Sequence, residues 1–285
     1  IELSEYPEIL DYSKQLLSDH NIEPLELKHS NGKVTLVTGS VYLEGKAPQG
    51  ILIAQDITKL KRLESTRQQF VANVSHELKT PITYIRSLIE TLLTAKQKGI
   101  DLDPNFINKA LRHTDRLTNI IDDLLQLSKI ESGEVEKQSI QISSVIDAAI
   151  QECQMKADEK NITLVFEASE AEIQCNYSLM IQAVKNLIEN AIKFSNDGGE
   201  VIINCNENKF SLDINIIDKG SGIPENHIEK LFQRFYRVDT ARSRELGGTG
   251  LGLSIVKHIS QTHGGEAFVE SKINEGSKFT IRLPI

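Results

Sequence analysis

From Asp56 to Pro81 the chain runs without an internal glycine or proline, and its apolar residues fall at Leu60, Leu63, Phe70, Val74 and Leu78. That spacing lays them along one face of an α-helix. Pro81 removes a backbone donor, yet Ile82, Ile85, Ile89 and Leu92 continue the stripe, so the pattern predicts a kink there and an end at Lys98-Gly99. Asp103-Pro104 then supplies a cap and a first-turn proline for a second helix. Its stripe is Ile107, Ala110, Leu111, Leu117, Ile120, Ile121, Leu124 and Leu127, and Ser132-Gly133 closes it. Two helices cannot bury such broad apolar faces on each other alone. The expectation is a homodimer whose hairpins pair as a four-helix bundle.

On either side of the hairpin the pattern changes. Residues 1–58 end in three β-like stretches, Leu25 to Lys28, Val34 to Tyr42 and Gly50 to Gln55, parted by Asn31-Gly32 and a turn from Gly45 to Pro48. They amount to about half of a small antiparallel domain, and a start at Ile1 in mid-pattern leads us to expect more chain upstream. Beyond Val135, strands near 135–142, 162–168, 172–176, 200–205, 210–217, 266–271 and 278–283 alternate with helices at 143–158, 178–194, 225–234 and 250–263. This order predicts an α+β sandwich with helices on one face of a mixed sheet.

Bulk chemistry excludes several classes. No apolar run approaches the roughly 20 residues of a membrane-spanning helix, so this stretch of chain is expected to make no span. Cys153, Cys175 and Cys205 lie far apart without a CxxC pair, which suggests neither a disulfide framework nor a zinc site and fits a reducing cytoplasm. A net charge of -8 argues against unspecific nucleic-acid binding, which needs lysine and arginine to neutralise phosphates.

Within the first helix, His76 lies two residues from both Val74 and Leu78, roughly 200° round from the stripe. It should face solvent. An imidazole that is largely neutral at cytoplasmic pH and has one exposed ring nitrogen is a competent nucleophile toward phosphorus. A carboxylate at Glu77 accepting the proton of the other nitrogen would fix the tautomer, given a suitable rotamer of His76. Thr80, one turn on, could orient a water against a phosphorylated His76 or its partner aspartate.

A second constellation lies in the C-terminal half. Asn186, Asn190 and Lys193 share one helical face at i, i+4 and i+7, while Ile181, Val184, Ile188 and Ala191 share another. A carboxamide oxygen on Mg²⁺ and an ammonium near phosphates are ordinary ATP chemistry, and magnesium takes few ligands from protein, so Asn190 alone is assigned to the metal. The strand Leu212 to Ile217 delivers Asp218-Lys219-Gly220-Ser221-Gly222, where Asp218 could accept the adenine amine proton. Gly247-Gly248-Thr249-Gly250-Leu251-Gly252-Leu253 leads into a helix and offers backbone N–H groups to phosphates. It lacks the Gly-Lys-Ser/Thr ending of a P-loop and follows no strand, which disfavours a dinucleotide fold. Between these glycine elements, residues 224–246 hold Phe232, Phe235 and Tyr236 with Arg234, Arg237, Arg242 and Arg244, the composition of a lid.

The string Ser75-His76-Glu77-Leu78-Lys79-Thr80-Pro81, preceded by Phe70-Val71-Ala72-Asn73-Val74, closely resembles the phosphoacceptor motif of sensor histidine kinases. The runs from Asn186 to Phe194, Asp218 to Gly222, Phe232 to Arg237 and Gly247 to Leu253 resemble the four ATP-site boxes of that family in order and spacing. The resemblance spans residues 57–285 and implies a Bergerat-type ATP fold. It further implies Asn190 on magnesium, Asp218 on adenine, Lys193 and lid arginines on phosphates, and Thr249 to Leu251 on the triphosphate.

The nucleotide set expected on these grounds is Asn186, Asn190, Lys193, Asp218, Gly220, Gly222, Tyr236, Arg237, Gly248, Thr249, Gly250, Leu251 and Gly252. The catalytic set is His76, Glu77 and Thr80. The N-terminal piece, ending in Gln55-Asp56-Ile57-Thr58, resembles the second half of a PAS sensory domain, and the whole is most similar to the phosphate-regulon type of sensor kinase. Expected domains are therefore 1–58 (PAS-like), 59–133 (dimerisation and histidine phosphotransfer) and 134–285 (catalytic ATP-binding). The implied activity is ATP-dependent phosphorylation of His76, transfer to an aspartate on a response-regulator receiver domain, and removal of that aspartyl phosphate with Thr80. The implied setting is the cytoplasmic part of a membrane-anchored protein. A rival expectation is an ATP-driven dimer clamp of the chaperone or mismatch-repair class, against which the histidine motif speaks. One departure from the family is Asn176, where many relatives carry an acidic residue, a difference that bears on helix entry.

Overall fold

The computed structural model describes residues 6–19, 22–44, 47–99, 105–133, 135–167, 169–238 and 248–285. Two compact units make up the chain, Ile1–Ser75 and His76–Ile285.

In the first unit a helix, α1 (Pro7–Ser18), precedes the strands β1 (Leu25–Lys28), β2 (Val34–Glu44) and β3 (Ala47–Asp56). The strands pair antiparallel in the order β1-β2-β3. The helix was not anticipated from the sequence, although proline stands at its first turn, where the missing N–H costs nothing. It buries Tyr12 and Leu16. A Cβ at Gly39 would run into the Leu16 side chain, so β2 carries glycine where the helix crosses it. At the end of β3, Asp56 Oδ1 accepts the Thr58 N–H at 2.9 Å and starts the next helix.

That helix, α2 (Thr58–Gln97), contains Pro81. Its partner α3 (Asn105–Ser132) follows; the proposed Asp103-Pro104 cap lies outside the described residues. Proline has no N–H for the Glu77 carbonyl four residues back, which leaves the helix weakest in the turn after His76. The sequence stripe on α3 is only partly covered in the single chain. Ile107, Leu111 and Ile121 are exposed, while Ile120, Leu127 and Ile130 are buried together with Arg116. Residues 116, 120, 123, 127 and 130 follow a 4-3-4-3 spacing, so Arg116 and Asp123 share one helical face with three buried apolar side chains.

The sandwich is as expected in plan. A five-stranded sheet has the order β5-β7-β8-β10-β9, built from β5 (Thr163–Phe166), β7 (Glu200–Glu207), β8 (Ser211–Asp218), β10 (Gly276–Pro284) and β9 (Glu266–Lys272). Only β5 and β7 are parallel. A two-stranded ribbon joins β4 (Gln138–Gln141) to β6 (Glu172–Cys175). The helices α4 (Ile142–Glu159), α5 (Tyr177–Phe194) and α7 (Gly252–Thr262) lie on the sheet. Their buried side chains, among them Ile146, Leu187 and Ile255, meet Ile203, Ile214, Ile216 and Ile281 of the strands. Helix α3 also lies against α7, which brings the hairpin to the sandwich.

One local expectation changes, and one holds. The helix read at 225–234 is only α6 (Glu225–Ile228). Beyond it the backbone makes three-residue turns, Leu231 N–H to Ile228 O and Gln233 N–H to Lys230 O, and Phe235 takes a positive φ of 64°. The chain turns back there because the Phe235 N–H donates to the Gly250 carbonyl at 2.8 Å. Asn176 is the cap of α5, its side chain accepting the Leu179 N–H at 3.1 Å, so amide replaces acid at a helix entry as the sequence suggested.

Candidate active site

Strand β8 ends in Asp218, 4% exposed, with Oδ1 accepting the Gly220 N–H at 2.8 Å. Burial pushes this carboxyl above the usual carboxylate range, opposed by backbone hydrogen bonds from Gly220 and Ser277. The surrounding backbone is close. A Cβ at Gly222 would collide with the Lys272 carbonyl, and one at Gly220 with the Phe194 carbonyl, so glycine here lets the chain pass the end of α5. An acidic acceptor thus sits at the end of β8 among closely packed backbone.

Asn186, Asn190 and Lys193 are partly buried on α5, opposite the buried Val184, Ile188 and Ala191. Asn186 reaches the Gly252 carbonyl at 3.4 Å, which ties this face to the start of α7. The Asn190 carboxamide makes no hydrogen bond among the described residues, leaving its oxygen for a ligand. Burial first, then the charges of Arg237 and Arg116, bring the Lys193 ammonium down to about 8. Among the described residues no group of three or more His, Cys, Asp or Glu could hold a metal ion; the residues present suit a magnesium ion held mainly by phosphate and water.

Of the glycine loop, Gly248 to Leu253 lies within the described residues and Gly247 outside them. Gly250 has φ of 79°, and a Cβ there would come within 2.9 Å of Phe235 Cα, so the lid root and the loop are pressed together. Thr249 Oγ1 accepts the Leu251 N–H at 3.2 Å and its hydroxyl donates to Asp123 Oδ2 on α3 at 2.6 Å. Tyr236 Oη bonds His227 Nδ1 at 2.6 Å. Arg237 Nη2 donates to the Thr249 carbonyl at 2.7 Å and to Glu77 Oε2 at 3.2 Å. The lid residues Arg242 and Arg244 lie outside the described residues.

On α2, His76 is exposed and Thr80 half-buried. The Thr80 hydroxyl donates to the His76 carbonyl at 3.0 Å. Glu77 differs from the sequence expectation. Its Oε2 accepts from Arg116 Nη2 at 2.7 Å as well as from Arg237, because neighbouring residues on a helix point about 100° apart and Glu77 turns inward. Further ties join the hairpin to the sandwich, Glu131 to Arg234 and Gln126 to Gln182.

Arg116 and Asp123 were missed in the sequence. The only signal was their place in the 4-3-4-3 series on α3, where two charges interrupt an otherwise apolar face.

Two family models match the chain. Residues 66–133 match the His Kinase A (phospho-acceptor) domain and residues 175–285 the histidine kinase-, DNA gyrase B-, and HSP90-like ATPase. The sensor histidine kinase WalK of Bacillus subtilis is 37% identical over 246 residues, covering 84% of this chain and 40% of the relative. The sensor protein kinase WalK of Staphylococcus aureus is 36% identical over 268 residues, covering 91% and 64%. This chain therefore spans less than two thirds of these relatives. Among solved structures, histidine kinase ThkA in complex with the response regulator TrrA aligns with a TM-score of 0.63 at 21% identity, covering 97% of this chain and 83% of that one. Acinetobacter baumannii AdeS aligns at 0.61 and 22%, covering 73% and 97%. At such identities the two structures speak to the fold.

Proposed function

We propose, on the premise that the chain belongs to the sensor histidine kinases, that it transfers the terminal phosphoryl group of ATP to His76 and then to an aspartate of a response regulator. The observation that carries this is the meeting, within one compact unit, of the residue after an exposed histidine with the loop that reads as a phosphate cradle, through Arg237.

ATP takes the slot between α5, Asp218 and the glycine loop. Asp218 receives the adenine amine. Lys193, Arg237 and the Thr249 to Leu251 backbone face the phosphates, with Tyr236 and Arg237 at the root of the lid. Asn190 would hold a magnesium ion, which would neutralise charge on the triphosphate. A neutral His76 ring attacks the terminal phosphorus, the bond to ADP breaks as the N–P bond forms, and ADP leaves with the electron pair. Glu77 takes the proton of the other ring nitrogen once it turns from the arginines. Thr80 positions water for removal of the aspartyl phosphate from the regulator.

Two copies pair through the exposed apolar residues of the hairpin, among them Ile82, Leu93 and Leu125, to make the four-helix bundle. Among the described residues no helix is long and apolar enough to cross a membrane; the chain is the cytoplasmic portion of a membrane-anchored sensor in this reading. The finer likeness to the phosphate-regulon type rests on the N-terminal piece, whereas the relatives found are WalK kinases. Support for ATP as donor comes from the ATPase family match and from a fold neighbour solved with AMPPNP.

The test is incubation with γ-labelled ATP and magnesium. Acid-labile label on His76, absent from His76→Gln, is expected; label retained in that variant rejects the assignment.

A further inference from the structure

We propose that Arg116 completes an anion site for a phosphoryl group between the hairpin and the ATP-binding domain, a site in which the Glu77 carboxylate now sits.

Geometry comes first. Arg116 Nη2 and Arg237 Nη2 converge on one oxygen, Glu77 Oε2, at 2.7 and 3.2 Å. Both arginine side chains are 6% exposed and the carboxylate 14%, so water does little to screen them. The same Arg237 Nη2 is 2.7 Å from the Thr249 carbonyl, which places the pocket against the glycine loop on one side. Its present occupant, Glu77, is the residue that follows His76.

Charge comes second. Lys193 is near enough for both guanidinium groups to lower its ammonium pKa, and at about 8 it still carries its proton at neutral pH. Two guanidinium groups therefore share one carboxylate, and the Lys193 ammonium is close enough to feel both of them. Asp123, the nearby acid on α3, is bonded to the Thr249 hydroxyl and is itself raised by burial.

Unmet hydrogen bonding comes third. Arg116 Nε is buried with no hydrogen-bond partner. A guanidinium presents Nε and Nη as a fork that suits two oxygens of one anion, and here only one prong is used. A phosphoryl group has three oxygens and up to two charges, enough for both prongs of Arg116 and for Arg237 together. A carboxylate has two oxygens and one charge. The better-matched occupant is the phosphoryl group, and Glu77 holds its place.

This rests on the kinase reading only for the identity of the donor. During transfer, negative charge spreads over the oxygens of the moving group as the bond to ADP breaks and the bond to His76 forms. Arg116 meets that charge from the hairpin side, opposite Arg237. It is thereby a charge-stabilising residue of the transfer step and plays no part in holding adenine.

Inorganic phosphate alone is the probe, titrated calorimetrically into the chain. Glu77→Gln removes the resident anion and keeps every cation, so phosphate affinity should rise about tenfold, the size expected for a charge-assisted bond made available. Glu77→Gln with Arg116→Gln should lose that gain, and Arg116→Lys in place of Arg116→Gln should restore part of it. Equal phosphate affinity in Glu77→Gln with and without Arg116 overturns the proposal. In a labelling assay, Arg116→Gln should slow His76 labelling by about tenfold or more at saturating ATP with ATP affinity unchanged. A loss of ATP affinity at an unchanged saturated rate overturns it as well. If no form of the chain labels His76, the kinase reading fails while the phosphate titration still decides the site.

Discussion

The Thr249 hydroxyl donates to Asp123 Oδ2 at 2.6 Å, joining the glycine loop to the third helix across 126 residues of sequence. A hydroxyl committed to Asp123 is not aimed at a phosphate. Asp123→Ala should therefore raise nucleotide affinity by roughly tenfold, the equivalent of about 1.4 kcal/mol for a charge-assisted bond that no longer competes. Titration with a fluorescent ATP analogue reads this directly; unchanged affinity would show that the bond and the nucleotide coexist.

Asp218 is the only buried carboxylate at the head of the slot among the described residues. Asp218→Asn keeps its shape and replaces an anionic acceptor by an amide, and nucleotide affinity should fall by about tenfold or more. The heat-unfolding midpoint should move little, since burial of the charge is itself unfavourable and raises its pKa. An isosteric variant that still binds ATP normally would remove Asp218 from the adenine.

Lys193 gives the site a pH dependence with a definite sign. Its folded pKa is lowered to about 8, chiefly by burial, so the ammonium that attracts phosphate is lost as pH rises through that value. Affinity for ATP should decline between about pH 7 and about pH 9, and Lys193→Met should flatten the profile while weakening binding throughout. A flat profile in the unaltered chain would contradict this placement of the ammonium.

His263 is a structural counterpart. Its Nε2 accepts the Asn176 N–H at 2.9 Å and its Nδ1 donates to the Ile259 carbonyl at 2.7 Å, so the ring is neutral, and burial holds its pKa below the ordinary 6.5. Above that value folded and unfolded chains both carry the neutral ring and no pH dependence arises. Below it the unfolded chain gains a proton that the folded one refuses, and stability should fall by up to about 1.4 kcal/mol per pH unit until the depressed value is reached. His263→Gln should remove that share of the slope in urea titrations at several acidic pH values.

Thr80 is expected to separate two activities. Its hydroxyl bonds the His76 carbonyl at 3.0 Å and makes no hydrogen bond to the arginines around Glu77. Thr80→Ala is expected to keep labelling of His76 within about twofold while regulator dephosphorylation falls about tenfold or more. Parallel loss of both rates would deny Thr80 a separate role.

Much of this was legible from periodicity. The 3-and-4 stripes gave α2 and α3, the strands read at 200–205, 210–217 and 278–283 stand as β7, β8 and β10, and His76 proved exposed as its angle to the stripe required. Helix α1 escaped because Tyr12 and Leu16 show their pairing only against β2, with Gly39 beneath. Lid residues 229–234 were included in a helix read at 225–234, but a tertiary bond from Phe235 to Gly250 redirects the backbone, and no local pattern encodes that. Glu77 was singled out beside His76, yet its partners Arg116 and Arg237 lie 39 and 160 residues away. Distance of that kind is invisible to spacing rules.

The face of α3 that mixes Ile120, Leu127 and Ile130 with Arg116 and Asp123 bears on how firmly α3 and α7 hold each other. Hydrocarbon along its whole length would act as a weld, indifferent to salt and slow to open. Charged hydrogen bonds set among the hydrocarbon, such as Asp123 to the Thr249 hydroxyl, make it a fastener instead, one that dissolved ions or a competing anion can loosen.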